Sequence, residues 1–236
     1  MSRAPLHGRR ERDAYYTPDA LARACVSVLD IAPGSRVLEP HVGGGAFVRA
    51  VRTQQPTAHV TGCDINPGAL GLAACDVDID GDFLGLDGEY DFIVGNPPFR
   101  GFDLHLQHAL TLAPRVAFLL RIAVMESKGR IGLWRELPLR KVWVLAERPS
   151  FTGKGTDSAA YGWFHFMRGW PGPAEVVPCW SWVGTLQPAL LSPRSSAAGE
   201  DSLQCSADRL GPATRTETGD SVRRGPALSG GSTRPV

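Results

Sequence analysis

The feature that most constrains the fold is a short apolar segment that runs directly into a glycine triplet. Residues 36–40 (RVLEP) are followed by His41 and Val42 and then by glycines at 43–45, after which residues 46–55 show helical apolar spacing. Glycine allows left-handed backbone angles and close approach to a ligand. A strand, a glycine loop and a helix in this order predict a ligand site at the carboxyl end of the strand.

Segments with the apolar pattern of strands alternate with segments of helical spacing through most of the chain. The predicted strands are 36–40, 58–65, 90–99, 115–124, 141–149 and 159–169. The predicted helices are 21–30, 46–55, 69–74, 104–113 and 130–137. This alternation predicts an α/β fold, a doubly wound Rossmann-like sheet in a single domain.

Composition sets the expected limits of that domain. The chain has 236 residues, 43% of them hydrophobic, which is enough for one substantial core. We place this domain at residues 15–184, after a mobile basic arm at 1–14. Residues 185–236 are rich in Ser, Gly, Pro and Arg without a hydrophobic period, so we expect a disordered C-terminal tail there.

Several classes of protein do not fit the sequence. The five cysteines show neither a CxxC pair nor matching histidine spacing, so we predict no metal site and no disulfide framework. The N-terminus has no signal-peptide core, and no run of about 18 apolar residues occurs. We therefore expect a cytoplasmic protein with no membrane partner; the sequence indicates no particular oligomeric state.

Two stretches of opposite charge cancel in the net charge of +1. Residues 64–91 contain eight acidic residues and no lysine or arginine, whereas residues 121–154 contain eight basic residues and three glutamates. The acidic stretch suits a cationic ligand, and the basic stretch suits a polyanion such as a nucleic acid. Both stretches are equally compatible with ordinary solvated faces.

Asp64 ends the second predicted strand, about 20 residues after the glycine loop, where an acidic residue accepts hydrogen bonds from ribose hydroxyls. Dinucleotide-dependent dehydrogenases share this spacing. Their loop, however, has the pattern GxGxxG, whereas the pattern beginning at Glu39 is EPxxGxG. A second, substrate-binding half is also not indicated, so a dehydrogenase is disfavoured.

The segment Asn96-Pro97-Pro98-Phe99 follows the strongly apolar strand YDFIVG at the same predicted edge. Prolines fix φ and lack an N–H, so the Asn96 side-chain oxygen and the Pro97 carbonyl can both face outward as acceptors. Two such acceptors suit an exocyclic amine. When they accept hydrogen bonds from both of its N–H groups, the nitrogen moves toward tetrahedral geometry and its lone pair points away from the ring system. Phe99 could then stack on a base drawn out of its helix.

The order of these motifs resembles the amino-methyltransferases of DNA, specifically small phage-like members with an NPPF loop. The resemblance covers about residues 15–168 and rests on Tyr16-Thr17-Pro18, on the loop beginning at Glu39, and on Asn96 to Phe99. It implies a class I methyltransferase sheet, S-adenosyl-L-methionine as the cofactor, and transfer to N6 of adenine in DNA.

The resemblance also implies roles for individual residues. The cofactor-binding residues would be Tyr16, Thr17, Pro18, Glu39, Pro40, Gly43, Gly45, Phe47, Asp64, Ile65, Asp82, Phe83 and Asn96. The catalytic residues would be Asn96, Pro97, Pro98 and Phe99, and the substrate-binding residues Phe99, Lys154, Tyr161 and Trp163. For Tyr161 and Trp163, a place in a core aromatic strand is an alternative.

Two departures from the family pattern leave other functions open. His41 and Val42 replace the small residues common after Glu-Pro, and no sizeable recognition domain follows the catalytic region. Methylation of an RNA base or of a protein glutamine remains an alternative activity. A catalytically inactive nucleic-acid-binding subunit is the alternative outside enzymes, although an intact Asn96 disfavours it.

Overall fold

The computed structural model describes residues 16–151 and 155–183. These residues form four α-helices and eight β-strands. The helices are α1 (Asp19–Ser27), α2 (Ala46–Gln54), α3 (Phe102–Leu112) and α4 (Ile131–Glu136). The strands are β1 (Arg36–Glu39), β2 (His59–Asp64), β3 (Val77–Asp80), β4 (Phe92–Gly95), β5 (Arg115–Arg121), β6 (Leu139–Leu145), β7 (Tyr161–Met167) and β8 (Glu175–Trp180).

The strands form one sheet in the order β3-β2-β1-β4-β5-β7-β6-β8. Strands β3, β2, β1, β4 and β5 are parallel to one another, whereas β7 runs antiparallel to both β5 and β6. After β1 the chain adds β2 and β3 on one side of this strand, and it then adds β4 and β5 on the other side. The strand order therefore reverses between β1 and β4. Ligands of doubly wound sheets bind at this kind of switch point, at the carboxyl ends of the strands.

Helices cover both faces of the sheet because alternate strand residues point to opposite sides. On one face, α1 and α2 pack against residues that include Val37, Val94 and Leu119. On the other face, α3 packs against residues that include Ile93 and Phe118. The predicted α/β doubly wound architecture is therefore confirmed, and its parallel centre is buried on both sides.

Several predicted elements are shorter than their apolar patterns. The strand predicted at 90–99 is β4, which ends at Gly95, so residues 96–99 form a loop beyond the sheet. The strand predicted at 115–124 ends at Arg121 and continues as a 3₁₀ turn, Ile122–Met125. The helix predicted at 69–74 is wrong: only a 3₁₀ turn, Leu72–Ala74, is present. Glycines at 68 and 71 disfavour a longer helix there.

The sequence analysis missed the strands at both edges of the sheet, β3 and β8. Strand β3 has the sequence VDID, and aspartate is depleted in strands. Strand β8 contains Pro178, and Cys179 has a positive φ of 48°. Both elements form because a neighbouring strand supplies hydrogen bonds, which a local pattern does not reveal. Charged residues and proline at sheet edges also discourage pairing with other chains.

The predicted arm at 1–14, the predicted tail at 185–236 and Lys154 lie outside the described residues. Within the described part of the chain, no helix is both long enough and apolar enough to cross a membrane.

Replacing Phe164 by alanine tests the packing beneath α4. Phe164 is fully buried in β7 and contacts Trp134 of α4 and Phe166. Because the cavity would not collapse completely, Phe164→Ala should lower the free energy of unfolding by about 3–5 kcal/mol. Val176→Ala is the control, since Val176 on β8 is exposed. Urea unfolding followed by circular dichroism measures both; equal losses would contradict the assigned packing.

Candidate active site

The candidate site lies where four parallel strands end. Strand β1 ends at Glu39, β2 at Asp64, β4 at Gly95 just before Asn96, and β5 at Arg121. Parallel pairing of β1 with β2 and β4, and of β4 with β5, puts these carboxyl ends at one edge of the sheet. Chemistry-bearing residues that are up to 82 positions apart in sequence are thereby brought together.

A pocket of about 230 Å³ opens at this edge. It is lined by Tyr16, Thr17, His41, Val42, Gly43, Gly44, Ala46, Phe47, Arg49, Leu70 and Asn96. The structure therefore brings together five of the residues that the sequence predicts for the cofactor: Tyr16, Thr17, Gly43, Phe47 and Asn96. Of the other pocket residues, the sequence analysis assigned none a role.

Hydrogen bonds to β2 and to the segment that follows it hold the glycine loop at the pocket. The Gly43 N–H donates to Asp64 Oδ2 over 2.7 Å, and the Gly71 N–H donates to the Gly43 carbonyl over 3.0 Å. Gly45 has a φ of +77°, and a Cβ there would lie 2.7 Å from the Gly71 Cα. Gly45 is thus required for close packing of two backbone segments, a different reason from the ligand approach that we expected.

The segment Tyr16-Thr17-Pro18 crosses the pocket before α1 begins. The Tyr16 ring lies against Gly44, where a Cβ would come within 2.8 Å of Tyr16 Cδ1. Thr17 Oγ1 accepts a hydrogen bond of 3.2 Å from Asn96 Nδ2. The Pro18 carbonyl accepts from the Ala22 N–H and so starts the helix. This segment therefore ties the N-terminal side of the domain to both loops of the site.

Asn96 is held by one end of its amide and leaves the other end unused. Its Nδ2 donates to Thr17, whereas its Oδ1 is buried without a hydrogen-bond partner among the described residues. A buried acceptor without a partner costs free energy comparable to a lost hydrogen bond. Such an atom beside a pocket is suited to accept a hydrogen bond from an N–H group of a ligand. Pro97, the residue after Asn96, is buried, and Pro98 is half-buried.

Glu39 is the most buried carboxyl group at this edge. It is 2% exposed, its Oε1 accepts from the His41 N–H over 3.2 Å, and it packs against Gly95, where any Cβ would clash with it. Burial raises the pKa of Glu39 well above its usual range, although the hydrogen bond from His41 opposes the shift. A cationic group nearby would stabilise the ionised carboxylate. Pro40 is buried beside it.

Asp64 is already engaged by the backbone at both oxygens. Besides the bond from Gly43, its Oδ1 accepts from the Asn66 N–H over 2.9 Å. A carboxylate has about four lone-pair sites, so acceptor capacity remains for ribose hydroxyls. Ile65 is 74% exposed next to it and does not line the pocket.

A histidine pair lies at the side of the pocket. His41 Nε2 and His105 Nδ1 are 2.8 Å apart, and the His41 ring also contacts the edge of Phe83. Burial and the nearby His105 lower the pKa of His41 to about 3, so His41 is neutral at physiological pH. The sequence signalled His41 only as a departure from the family pattern, and it did not signal the pairing with a helix residue 64 positions away.

Asp82 and Phe83 do not line the pocket. Phe83 is 2% exposed and packs between His41 and the α3 histidines, His105 and His108. Asp82 caps the following 3₁₀ turn by accepting from the Leu84 N–H over 3.0 Å. Phe83 thus supports the pocket from behind through His41, so the direct contact with a cofactor expected of Phe83 does not fit its position.

The aromatic residues of β7 are buried instead of facing a substrate. Trp163 is fully buried and its ring stacks on Phe47, with 5.3 Å between the ring centroids. Tyr161 is 1% exposed and lies 5.9 Å from the Phe99 ring. Trp163 was expected to bind substrate, but it lies in the core instead, because the odd-numbered residues of β7 face α1 and α2. Tyr161 contacts Phe99 of the loop after β4 and offers no open surface to a base.

The basic stretch at 121–154 does not form one surface. Arg121 and Arg148 lie at or beyond the carboxyl ends of β5 and β6, on the side of the site. Arg140 and Lys141 lie at the start of β6, at the opposite edge, where Lys141 pairs with Glu175 over 2.8 Å. A polyanion bound at the site could therefore meet only part of the stretch.

Within residues 16–151 and 155–183, no group of three or more His, Cys, Asp and Glu residues is arranged to hold a metal ion.

Comparisons with known proteins find similarity to methyltransferases. No protein-family model matches the chain. Over 146 residues it is 30% identical to the type II methyltransferase M.TthHB8I from Thermus thermophilus, a match that covers 61% of this chain and 34% of the relative. The chain therefore spans about a third of the length of this curated relative.

Solved structures show the same fold. The methyltransferase subunit of a type I restriction-modification system from Streptococcus thermophilus matches with a TM-score of 0.51 at 17% identity, over 66% of this chain and 45% of that chain. A protein from Pyrococcus horikoshii, assigned as an RNA methyltransferase, matches with a TM-score of 0.55 at 16% identity, over 69% and 90%. The fold is thus the Rossmann-like fold of class I methyltransferases, as predicted.

Gly71→Ala tests the close packing of the glycine loop. A Cβ at Gly71 would clash with the backbone of Gly45 and with Val42. Because backbone must move to relieve the clash, we expect a loss of about 1–3 kcal/mol in the free energy of unfolding. Gly81→Ala is the matched control, since nothing lies within 4 Å of a Cβ there. Chemical denaturation measures both, and an unaltered stability of Gly71→Ala would refute the packing.

The lowered pKa of His41 predicts a pH dependence of stability. Its folded pKa of about 3 lies below the unfolded value of 6.5, so the unfolded state binds more protons between these pH values. Stability should therefore fall as the pH falls below 6.5, by about 2 kcal/mol at pH 5 from this residue.

The measurement compares urea unfolding of the wild type and His41→Gln at pH 7 and pH 5. The wild type should lose about 2 kcal/mol more than the variant over this interval. Titrating groups that do not contact His41, such as His165, are common to both proteins and cancel in the difference. Equal losses in the two proteins would show that His41 is not held neutral by burial.

Proposed function

We propose that this chain is an S-adenosyl-L-methionine-dependent methyltransferase that methylates the exocyclic N6 amine of adenine in DNA. The observation that carries the proposal is Asn96 at the end of β4. Its amide is oriented by Thr17, and its Oδ1 is buried without a partner beside a pocket lined by the glycine loop. An acceptor held in this way suits an amine and has no evident structural purpose.

The residues at the strand ends fit the proposed cofactor. Glycines 43 and 44 present backbone to the pocket, and Asp64 at the end of β2 retains acceptor capacity for ribose hydroxyls. Glu39 has a raised pKa because of burial, and the cofactor's ammonium group would favour its ionised form. When bound, the cofactor supplies an electrophilic methyl group on a sulfonium. Pro18, Pro40, Gly45, Ile65, Asp82 and Phe83 are proposed to support this site.

The loop residues then act on the acceptor amine. Asn96 Oδ1 and the Pro97 carbonyl accept the two N–H bonds, which moves the nitrogen lone pair out of conjugation with the ring. The prolines at 97 and 98 fix φ, so the two acceptors keep their relative position. An amide is too weak a base to remove a proton from the amine first, so deprotonation follows methyl transfer. Phe99 stacks on the ring of the flipped base.

DNA is the favoured polymer. The type II methyltransferase that matches over 146 residues and the segment Tyr16-Thr17-Pro18 both favour it over RNA or protein. Arg100 is exposed immediately after the catalytic loop, and Lys128 and Arg148 are exposed beyond the carboxyl ends of β5 and β6, where phosphates of a bound strand would pass. Lys154 stays a proposed substrate contact on sequence grounds alone, because it lies outside the described residues.

Incubation with tritiated cofactor tests the acceptor. The protein is given duplex DNA free of adenine methylation, single-stranded DNA, RNA and protein lysate in separate reactions, and labelled nucleosides are separated after digestion. We expect label in N6-methyl-2′-deoxyadenosine from DNA. Label confined to RNA or to protein glutamine would establish one of the alternative activities. Binding of DNA without any label would support the inactive nucleic-acid-binding subunit.

Two substitutions separate the role of the loop from that of the cofactor site. Asn96→Ala should reduce kcat by at least about 100-fold, because it removes an acceptor used in the transition state, and should leave the cofactor Kd within a few-fold. Asp64→Ala should weaken cofactor binding itself, as measured by calorimetry. If both variants lost cofactor binding to the same extent, the proposed role of Asn96 would be wrong.

A further inference from the structure

The Phe99 ring of the catalytic loop is held from two directions. The guanidinium carbon of Arg121 lies 4.0 Å from the Phe99 ring centroid, and the Tyr161 ring centroid lies 5.9 Å from it. Arg121 is the last residue of β5, and Tyr161, its partner across the antiparallel pair, is the first of β7. The register of two strands thus sets both residues beside the loop that follows a third strand.

Asp157 joins these two residues into one network. The Tyr161 hydroxyl accepts from Arg121 Nε over 3.1 Å and donates to Asp157 Oδ2 over 2.9 Å. Arg121 Nη2 lies 3.5 Å from the same carboxylate oxygen. The other oxygen, Asp157 Oδ1, accepts from the Ala159 N–H over 2.9 Å. The Tyr161 hydroxyl and both Asp157 oxygens therefore each have a specific partner.

The charge states agree with this arrangement. Although burial favours the neutral acid, hydrogen bonds from Ala159 and Tyr161 and the charge of Arg121 together lower the pKa of Asp157. Burial is the main reason that the pKa of Tyr161 is raised to about 12. Asp157 is therefore an anion and Tyr161 a neutral hydroxyl near pH 7, as the donor and acceptor roles require.

The backbone alone does not fix the Phe99 ring. Pro97 and Pro98 restrict the backbone up to residue 98, but χ1 and χ2 of Phe99 depend on what the ring touches. Phe99 is half-buried, and its covering neighbours include a cation and an aromatic ring. A cation over a ring face prefers a particular ring orientation because the quadrupole is directional.

We propose that Arg121, Asp157 and Tyr161 are positioning residues that set the orientation of the Phe99 ring for the target base. The network holds the guanidinium over the ring, and through Asp157 it links the ring to the segment that precedes β7. Its consequence for methyl transfer rests on the function proposed above. The orientation of Phe99 itself does not depend on that function and is measured separately.

A structural alternative makes a different prediction. If Tyr161 served only to fill the core, its ring contacts with Phe99 and Phe151 would matter and its hydroxyl would not. Tyr161→Phe keeps the ring and removes the hydroxyl, and Asp157→Asn keeps the shape and removes the charge. Tyr90→Phe is the matched control, because it removes a half-buried tyrosine hydroxyl that lies outside the network.

The first readout is fluorine NMR of the full chain labelled with 4-fluorophenylalanine. The Phe99 resonance is assigned from its disappearance in Phe99→Leu. In Tyr161→Phe and in Asp157→Asn, it should move toward the chemical shift of the unfolded protein, whereas the resonances of Phe164 and Phe166 should stay in place. In Tyr90→Phe the Phe99 resonance should not move. An unmoved Phe99 resonance in both network variants would overturn the proposal.

The second readout is steady-state transfer of labelled methyl groups to unmethylated genomic DNA. Misplacement of a positioning ring should lower kcat by about tenfold to a hundredfold in Tyr161→Phe, with the KM for the cofactor within about twofold of wild type. Rates equal to those of Tyr90→Phe would overturn the positioning role. If the wild type labels no polymer at all, the proposed function fails, and the NMR result still decides whether the network orients Phe99.

Discussion

The parallel pairing of β1 with β2 on one side and with β4 on the other determines the site. This pairing aligns the ends of three strands, so Glu39, Asp64 and Asn96 meet although they come from distant parts of the chain. It also brings the Glu39 carboxyl group against Gly95, a position where any side chain would clash. The Glu39 carboxyl group at the end of β1 and the loop that begins at Asn96 after β4 therefore lie side by side. The position of each depends on the pairing of β1 with β4.

The loops over this edge depend on one another in the same way. Asp64 accepts from the Gly43 N–H, Gly43 accepts from Gly71, and Gly45 packs on Gly71 without room for a Cβ. Arg49, one helical turn beyond Gly45, donates to the Gly44 carbonyl and pairs with Asp19 of α1. Side chains of β2, α2 and α1 thus hold the main chain that borders the pocket. Such rigidity suits a ligand that must be oriented as well as bound.

Strands β5 and β7, in the second half of the domain, contribute to the site through the register of their pairing. The antiparallel pairing of β5 with β7 places Tyr161 opposite Arg121, and both reach the loop that follows β4. The same strand buries Trp163 against Phe47 of α2. Strand β7 therefore supports the loop after β4 through its first residue, Tyr161, and the pocket wall through Trp163.

Several of the expected site residues could be found from the sequence because their roles depend on local chemistry. The glycine loop needs backbone angles that glycine supplies, and the proline pair fixes the loop at residues 97 and 98 whatever surrounds it. The order of strand, loop and helix also predicted the sheet. The histidine pair and the Arg121 network could not be found, because strand and helix packing bring their members together from distant positions. His41 and His105 are 64 positions apart, and Arg121 is 40 positions from Tyr161.

The sequence by itself determined the α/β alternation, the place of the glycine loop and the asparagine loop at the ends of strands, and the type of side chain available there. Only the tertiary structure decided which side chains reach the pocket. Phe83, Tyr161 and Trp163 matched site motifs yet lie buried behind it, whereas His41 lines it. The physical reason is that the direction of a side chain is set by strand register and helix packing, and these depend on contacts between segments that no local pattern encodes.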